Sequence, residues 1–387
     1  MAESDVAATA APSGAPSPWD RPDVAAQATP TRSVLPGPET VHPVEFTGTS
    51  GEYLRIWIVN VALTLVTLGI YSAWAKVRKR RYLYGHTRVA GEGIEYLAKP
   101  IPILLGRLIA VAVLAAIVAA DFLVPALAAS RPLRQLLSIV VFVAAGPWIM
   151  VRSLRFNARN TAYRNIRFRF AAAYGDCFRI VATYGWLLLT GILYPFFRRR
   201  LVRFGVENHL YGATKLELSF DFGKPFVRAY FVAYGLFVLY MIGGVLPVVG
   251  IAAAVAAGMR VKLSQIAPLG FLLWLPVYAI AIGLTFAYIR ARTINAIFNN
   301  LRIGPIRFSS SLRVRDVAGI YFSNAVAVVF TLGFATPWAV IRTWRYRMSK
   351  TAMTAAAPLD GFVQAEADHI GAAGQEIGDM LDFDVSL

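Results

Sequence analysis

Seven apolar stretches, each near the length of a membrane crossing, dominate this sequence of 387 residues. A helix that crosses a bilayer needs about 20 predominantly apolar residues. Apolar residues make up 57% of the chain and charged residues only 16%, whereas about 25% of a soluble domain is charged. A soluble protein could not bury so much apolar surface, so the sequence predicts a membrane protein. The stretches lie near 54–75, 102–127, 135–151, 177–197, 226–256, 267–289 and 317–341.

Basic residues outnumber acidic residues by 39 to 22 and flank the apolar stretches. Such an excess marks the cytoplasmic loops of a membrane protein and attracts anionic lipid headgroups. Because the charges sit at the ends of apolar segments rather than on one soluble face, they do not indicate nucleic-acid binding. We therefore expect membrane lipids with anionic headgroups as partners, with a second membrane protein as a further candidate.

A short motif occurs three times, at 67–82, 189–204 and 331–346. It reads glycine, four residues, an aromatic, three residues, arginine, two residues, a second arginine and, directly after it, an aromatic. This recurrence predicts a repeated structural unit. The candidate lipid-headgroup residues in these copies are Gly69, Trp74, Arg78, Arg81, Tyr82, Gly191, Pro195, Phe196, Arg200, Arg203, Gly333, Pro337, Trp338, Arg342, Arg345 and Tyr346.

The repeat divides the chain into segments, and each motif copy is expected to hold a strand, a membrane helix, a basic amphipathic helix and a second strand. The ends are expected to be tails, the first of them disordered because it is rich in Ala and Pro. The predicted segments are tail 1–43, motif copy 44–98, helical hairpin 99–163, motif copy 164–222, helical hairpin 223–302, motif copy 303–363 and acidic tail 364–387.

Short strands are predicted beside every motif. Residues 166–170 and 214–222 alternate apolar and polar side chains, which is the strand pattern. Strands with open edges cannot lie in lipid, so these pieces are expected in water, as one small sheet. The predicted fold class is a polytopic α-helical membrane protein with internal repeats, with four to seven transmembrane segments plus short cytoplasmic β-strands.

The number of crossings depends on the motif segments. If all seven stretches cross, each repeat contains three crossings and successive copies are inverted, which places many arginines outside, against the positive-inside rule. If the motif segments enter and leave on one side, four stretches cross and the strands share one compartment. The second arrangement is favoured, although a continuous helix over 54–75 would be long enough to cross.

The run FTGTSGEYLRIWIVNVALTLVTLGIYSAWAKVRKRRYLYG at 46–85 resembles the signature of the YjgN-like family of bacterial inner-membrane proteins. The resemblance covers roughly 44–363, and the acidic end GDMLDFDVSL at 378–387 supports it. It implies a multi-pass protein of the inner membrane of a Gram-negative bacterium. The family is filed as a domain of unknown function, so the resemblance implies no activity, substrate or catalytic residue.

Residues that could carry chemistry are few. No phosphate-binding loop, paired metal ligands or nucleophile elbow is present in the sequence, so no catalytic residue, metal or cofactor is predicted. The lone cysteine, Cys177, opens an apolar segment and is expected to be a buried thiol. Three polar residues on membrane helices remain as candidates for packing or for a polar path, namely Asn157, Asn295 and Asp121.

These observations predict an integral inner-membrane protein without catalytic chemistry. The paired arginines of the motif, three residues apart on one helical face, suit phosphate groups, so the expected function is binding of an anionic lipid or a membrane partner. The alternative is a transporter or channel with a site between the repeats.

Overall fold

The computed structural model describes residues 39–123, 130–260, 262–356 and 358–369. The strands are β1 (Thr40–Phe46), β2 (Thr87–Val89), β3 (Glu92–Tyr96), β4 (Thr161–Tyr163), β5 (Ile166–Phe170), β6 (His209–Tyr211), β7 (Thr214–Leu218), β8 (Leu301–Ile303), β9 (Ile306–Ser310) and β10 (Thr351–Ala355). The helices are α1 (Ser50–Val66), α2 (Ser72–Gly85), α3 (Pro100–Leu123), α4 (Arg131–Arg159), α5 (Tyr174–Tyr184), α6 (Tyr194–Glu207), α7 (Gly223–Met259), α8 (Leu263–Phe298), α9 (Val314–Phe330), α10 (Thr336–Ser349) and α11 (359–369).

The ten strands form one closed antiparallel barrel in which every strand lies beside its neighbours in sequence. The ring closes where β10 pairs with β1, with Thr40 opposite Ala355. Closure leaves no strand edge unpaired. The predicted small sheet is therefore replaced by a barrel, and four of its ten strands, such as Thr87–Val89, are too short to be recognised in the sequence.

Five βααβ units build this barrel. A pair of helices connects β1 to β2, β3 to β4, β5 to β6, β7 to β8 and β9 to β10, whereas short turns connect the units. Because neighbouring strands are antiparallel, all five helix pairs leave the barrel at one end, here called the helix end, and all the turns lie at the other, the turn end. Each helix pair therefore begins and finishes on the same side of a membrane.

The barrel has an apolar interior and a charged exterior. Its core contains Val89, Ile166, Ile303 and Met353, whereas the alternate residues of the strands are exposed and charged. A barrel that lies in lipid has the opposite pattern, with apolar residues outside, so this barrel belongs in water. Exposed charged residues on its outer surface include Glu45, Arg88, Glu95, Arg167, Arg169, Lys215, Glu217, Arg302 and Arg307.

The motif segments are helical hairpins rather than continuous helices. Leu68 and Gly69 adopt φ angles of 49° and 93°, and Leu332 and Gly333 adopt 49° and 97°. These left-handed conformations end α1 and α9, since glycine has no Cβ to oppose them. Gly191, at φ 62°, similarly precedes α6. The three hairpins end in exposed apolar tips, where Leu68 is 95% exposed.

The predicted fold class is wrong in its count of four to seven transmembrane segments. Within the described residues, three helical stretches are long and apolar enough to cross a membrane. The turns at the motif glycines divide three of the predicted segments, and the apolar part of α3 that lies within the described residues is Pro100–Val113. The three stretches are Ile139–Arg159, Phe220–Met259 and Gly270–Phe298.

The last described helix, α11, closes the turn end of the barrel. Leu359 belongs to the barrel core, and Phe362 and Val363 pack against it. The ring of Phe362 stacks on Tyr211 with centroids 6.1 Å apart. The expected tails lie largely outside the described residues, which begin at 39 and end at 369, although 40–43 belong to β1 and 364–369 to α11.

Candidate functional site

In the first and third motif copies, the last aromatic is a tyrosine that joins the hairpin to its own base. The Tyr82 hydroxyl lies 2.9 Å from the Glu52 carboxylate at the start of α1 and accepts a hydrogen bond from the Thr49 N–H. The hydrogen bond from Tyr82 lowers the pKa of Glu52, whereas burial raises the pKa of Tyr82. Tyr346 likewise donates to Asp316 at 2.9 Å. The tyrosines therefore join the second helix of a unit to the first.

The second arginine of the motif joins one unit to the next. Each donates to a carbonyl that follows the first strand of the next unit around the barrel, and polar residues of α4 and α8 do the same. All five donors lie six residues before the strand that follows their helix, so the contact repeats around the ring. The pairs are Arg81 with Ala98 (3.0 Å), Arg155 with Ala172 (2.9 Å), Arg203 with Ser219 (3.4 Å), Asn295 with Leu312 (2.9 Å) and Arg345 with Gly48 (2.9 Å).

The first arginine of the motif lies over an aromatic ring instead. Arg78 is exposed and its guanidinium lies 5.6 Å from the ring centre of Tyr71. Arg200 is exposed and lies 5.1 Å from that of Tyr184. Arg342 lies 4.9 Å from the Trp338 ring and is held by Ser323 at 2.5 Å. The first two arginines are available to ligands.

The remaining motif residues pack within the hairpins. Trp74 is half-buried and stacks on Tyr71, with centroids 5.9 Å apart. Pro195 and Pro337 are fully buried in the first turns of α6 and α10, where proline lacks only an N–H that would be unpaired there.

The polar helix candidates lie apart from one another. Asn157 accepts a hydrogen bond from Arg80 of α2. Asn295 is one of the five inter-unit donors, and its amide oxygen accepts from the Leu312 N–H at 3.0 Å. Asp121 falls on the last turn of α3, but its side chain lies outside the described residues. The structure does not bring Asn157 and Asn295 together.

A groove between α6 and α7 gathers three basic residues that form no ion pair within the described residues. Its volume is about 650 Å³, and its cations are Arg199, Lys224 and Arg228. Phe196, the motif aromatic, and Phe231 form an apolar wall, with ring centroids 6.0 Å apart. We call this the cationic groove.

The geometry of the cationic groove depends on close packing at the start of α7. A Cβ at Gly223 would lie only 2.9 Å from Nη1 of Arg199, so glycine lets the guanidinium lie against the backbone. The Arg199 guanidinium also lies 5.9 Å from the Phe196 ring centre. Its orientation is therefore set by contacts on two sides.

The electrostatics of the cationic groove favour an anion. Burial lowers the pKa of Arg199, and the neighbouring charges of Arg200 and Arg203 lower it further. Lys224 and Arg228 are four residues apart on one helical face, where like charges repel by about 0.2–0.5 kcal/mol. Among the described ion pairs, none involves these cations. Arg and Lys donors suit phosphate oxygens and offer no ligands for a metal.

Sequence reasoning missed this groove, although two signals point to it. Arg199 belongs to a run of three arginines, and Lys224 belongs to a Lys-Pro pair that also opens the segment at Lys99. The sequence could not show that the end of one unit packs against the beginning of the next. In the described residues no group of three or more His, Cys, Asp or Glu could hold a metal.

Known proteins resemble this chain over most of its length. Residues 41–380 match the family described as "Bacterial protein of unknown function (DUF898)". Inner membrane protein YjgN of Salmonella typhimurium is 24% identical over 78% of this chain and 85% of its own length.

Two shorter matches carry the same name. Inner membrane protein YjgN of Escherichia coli O157:H7 is 35% identical over 33% of this chain, and the match spans 31% of that relative's length. The protein of that name from Escherichia coli K12 is 46% identical over 14% of each chain. No solved structure matches the chain significantly.

Proposed function

We propose a function from the premise that this chain belongs to the bacterial DUF898 family: it binds the headgroup of an anionic phospholipid in the cationic groove. The resemblance to the YjgN-like family is confirmed. The relatives are named as inner membrane proteins, and three stretches of this chain are apolar enough to cross a bilayer. The chain is accordingly an inner-membrane protein.

The observation that carries the proposal is the position of the cationic groove. Lys224 and Arg228 lie in the first turns of α7, at the barrel end of the apolar stretch Phe220–Met259. The barrel exterior requires water and the stretch requires lipid, so the groove lies at the boundary between them. That boundary is where phospholipid phosphates are found.

The groove also matches both parts of a phospholipid. Its cations can bind the phosphate, and Phe196, Val227 and Phe231 offer an apolar surface for the upper part of an acyl chain. An excess of basic residues at this depth favours the cytoplasmic leaflet. Each basic residue near an anionic surface contributes about 1 kcal/mol of attraction.

The proposed role is binding rather than catalysis. Cys177, the only cysteine, is buried, its Sγ lies 3.9 Å from the Met150 sulfur, and burial raises the pKa of its thiol. A thiol in that state is a poor nucleophile. This environment supports a structural role for the residue.

The proposal is tested by stabilisation with lipid. A ligand that binds only the folded state raises the Tm, so phosphatidylglycerol added to the detergent-solubilised protein is expected to raise the Tm more than phosphatidylcholine does. Equal effects of both lipids would contradict a site for anionic headgroups. Solute flux through liposomes that carry the protein would instead support the transporter alternative.

A further inference from the structure

The barrel encloses an apolar cavity distinct from the cationic groove. Its volume is about 340 Å³, within the range of about 300–1,000 Å³ typical of small-molecule sites. The walls come from the inward-facing residues of the strands, and Leu359 and Val363 of α11 close the turn end. We call this cavity the lumen. Its walls include Val89, Ile94, Phe168, Ile303, Phe308 and Met353.

Most polar groups of the lumen are already paired with protein atoms. The Tyr163 hydroxyl donates to the Val89 carbonyl at 2.9 Å, and the Tyr211 hydroxyl donates to the Tyr163 carbonyl at 3.2 Å. The threonines of the wall donate to carbonyls of the preceding helical turn, as Thr87 does to Leu83 at 2.7 Å. A cavity without free polar partners does not hold water well and accepts apolar ligands.

The helix end of the lumen is formed by equivalent residues of different units. Tyr84, Phe298 and Met348 line it, and each lies three residues before a strand. These residues belong to the second helices of their units, which lead from the barrel toward the membrane. This helix end of the lumen, here called its mouth, therefore faces the bilayer.

Arg347 is a basic residue close to this mouth. It directly precedes Met348, which lines the lumen, and its guanidinium lies 5.7 Å from the Trp344 ring. Trp344 in turn stacks on Tyr84 and donates to Thr87, two residues of the lumen wall.

Within the described residues, Arg347 forms no ion pair. Its buried Nε has no hydrogen-bond partner, and burial and the charge of a second cation, Arg290, lower its pKa. Among the described ion pairs, none includes either arginine. Burying a cation without an anionic partner costs free energy. An anion bound at the mouth would lower that cost.

We propose that the lumen binds the single acyl chain of an anionic amphiphile whose headgroup lies against Arg347. The apolar walls select the acyl chain of the ligand, and Arg347 selects its negatively charged headgroup. Either a free fatty acid or a lysophospholipid carries this chemistry. The proposal is independent of the cationic groove, which lies on the outer surface between α6 and α7.

Photocrosslinking of the full-length protein in nanodiscs tests this site. The probe is dodecanoate with a diazirine at the end of its chain, and the labelled peptides are identified by mass spectrometry. Labelling is expected within β8, β9 and β10, and excess unlabelled dodecanoate is expected to abolish it. Labelling confined to the apolar faces of the membrane helices would overturn the proposal.

Two variants with matched controls distinguish binding of the acyl chain in the lumen from binding of the headgroup at Arg347. Ile94→Trp fills the lumen and is expected to lower crosslinking about tenfold, whereas Glu95→Trp, on the outer face of the same strand, is expected to leave it unchanged. Arg347→Met is expected to weaken competition by dodecanoate about tenfold, the size of one lost charge-assisted hydrogen bond. Arg307→Met, on the barrel exterior, is the control for charge.

Two competitors define the ligand further. Dodecanol lacks the charge, so it is expected to compete equally well with the wild type and with Arg347→Met. Lysophosphatidylglycerol competing better than dodecanoate would assign the headgroup as a phosphate, and the reverse order would assign it as a carboxylate. Crosslinking that is unchanged in both Ile94→Trp and Arg347→Met, with thermal unfolding like the wild type, would contradict the site.

Discussion

The guanidinium of Arg345 donates a hydrogen bond to the carbonyl oxygen of Gly48 at 2.9 Å, across 297 residues of the chain. This hydrogen bond joins α10 to the short segment between β1 and α1, close to where β10 pairs with β1. Four other side chains make the equivalent contact between the other units. The motif arginine thus closes a ring of five units, the last of which meets the first.

Replacing Arg345 is expected to weaken this closure. Arg345→Met removes a hydrogen bond from a charged donor. Because the arginine is exposed, the loss is expected to be about 1 kcal/mol, less than the roughly 1.5–3 kcal/mol typical of bonds to charged groups. Thermal unfolding in detergent measures it. Arg307→Met on the barrel exterior should leave the Tm unchanged, and equal losses in both variants would contradict the assigned role.

Glu366 is expected to hold α11 on the turn end of the barrel. Its carboxylate is 5% exposed and accepts hydrogen bonds from the Ala213 N–H at 2.7 Å and from the Thr214 hydroxyl. Glu366→Ala removes both hydrogen bonds to the buried carboxylate, so we expect a loss of about 1–3 kcal/mol in the free energy of unfolding.

The matched control for this variant is Asp368→Ala, because Asp368 is an exposed acid on the same helix. Chemical denaturation should place the control within about 0.5 kcal/mol of the wild type. A loss in the control as large as in Glu366→Ala would show that net charge, and not the buried hydrogen bonds, is responsible.

The tips of the motif hairpins are expected to lie in the bilayer. Leu68 is 95% exposed and Leu332 90% exposed at the turns after α1 and α9. Helix α1 has 17 residues and is about 26 Å long, so its tip can approach the far side of a hydrocarbon core about 30 Å thick without crossing it.

Quenching by lipids brominated in their acyl chains measures this depth. In a Cys177→Ala background, a fluorophore on Leu68→Cys is expected to be quenched strongly, whereas one on Arg167→Cys on the barrel exterior is not. Absence of quenching at the Leu68 position would place the hairpin outside the membrane.

Acid is expected to destabilise the barrel through His209. Burial lowers the pKa of this histidine from its ordinary 6.5, although its hydrogen bond with the Gly205 carbonyl acts in the other direction. The unfolded chain therefore binds the proton more readily than the folded one. Stability from this group is fully present above about pH 6.5 and is lost as the pH falls below it.

His209→Phe removes this titration and keeps a ring against Phe170, which now packs edge to face with the imidazole. The Tm of the variant should fall less between about pH 7 and pH 5 than the Tm of the wild type. The control is His86→Phe, which replaces the histidine directly before β2. Parallel pH profiles for His209→Phe and the wild type would rule out this role.

The motif allowed part of the fold to be predicted from the sequence. The motif glycines Gly69 and Gly333, which recur at one position of the motif, lie at the turns that divide the apolar segments, at φ angles of 93° and 97°. Residues 166–170 were recognisable as a strand by their alternation. The family and the inner-membrane location also followed from the sequence.

The barrel was not predictable, for physical reasons. Four of its strands, such as His209–Tyr211, have only three residues, which is too few for a period of two to be visible. The true repeat is one βααβ unit that occurs five times, but its helices differ in length, from the 11 residues of α5 to the 37 of α7. This variation hides the common pattern.

The proposed ligand-binding groups were hidden for a different reason. The basic motif suggested headgroup binding, yet Arg81, Arg203 and Arg345 bind backbone carbonyls. Arg199 and Arg347 differ from them only in what lies nearby, which depends on contacts between units. The sequence predicted the kind of side chain involved, whereas the fold decides which of these side chains remain unpaired.

Native mass spectrometry of the solubilised protein with equimolar phosphatidylglycerol and phosphatidylcholine tests the proposed headgroup site most directly. The wild type is compared with the triple variant Arg199→Gln, Lys224→Gln, Arg228→Gln. The control is Arg167→Gln, Arg169→Gln, Lys215→Gln, which removes the same charge from the barrel exterior. The wild type and the control are expected to retain phosphatidylglycerol preferentially, and the groove variant is expected to lose the preference. Equal retention by all three proteins would contradict the proposed headgroup site.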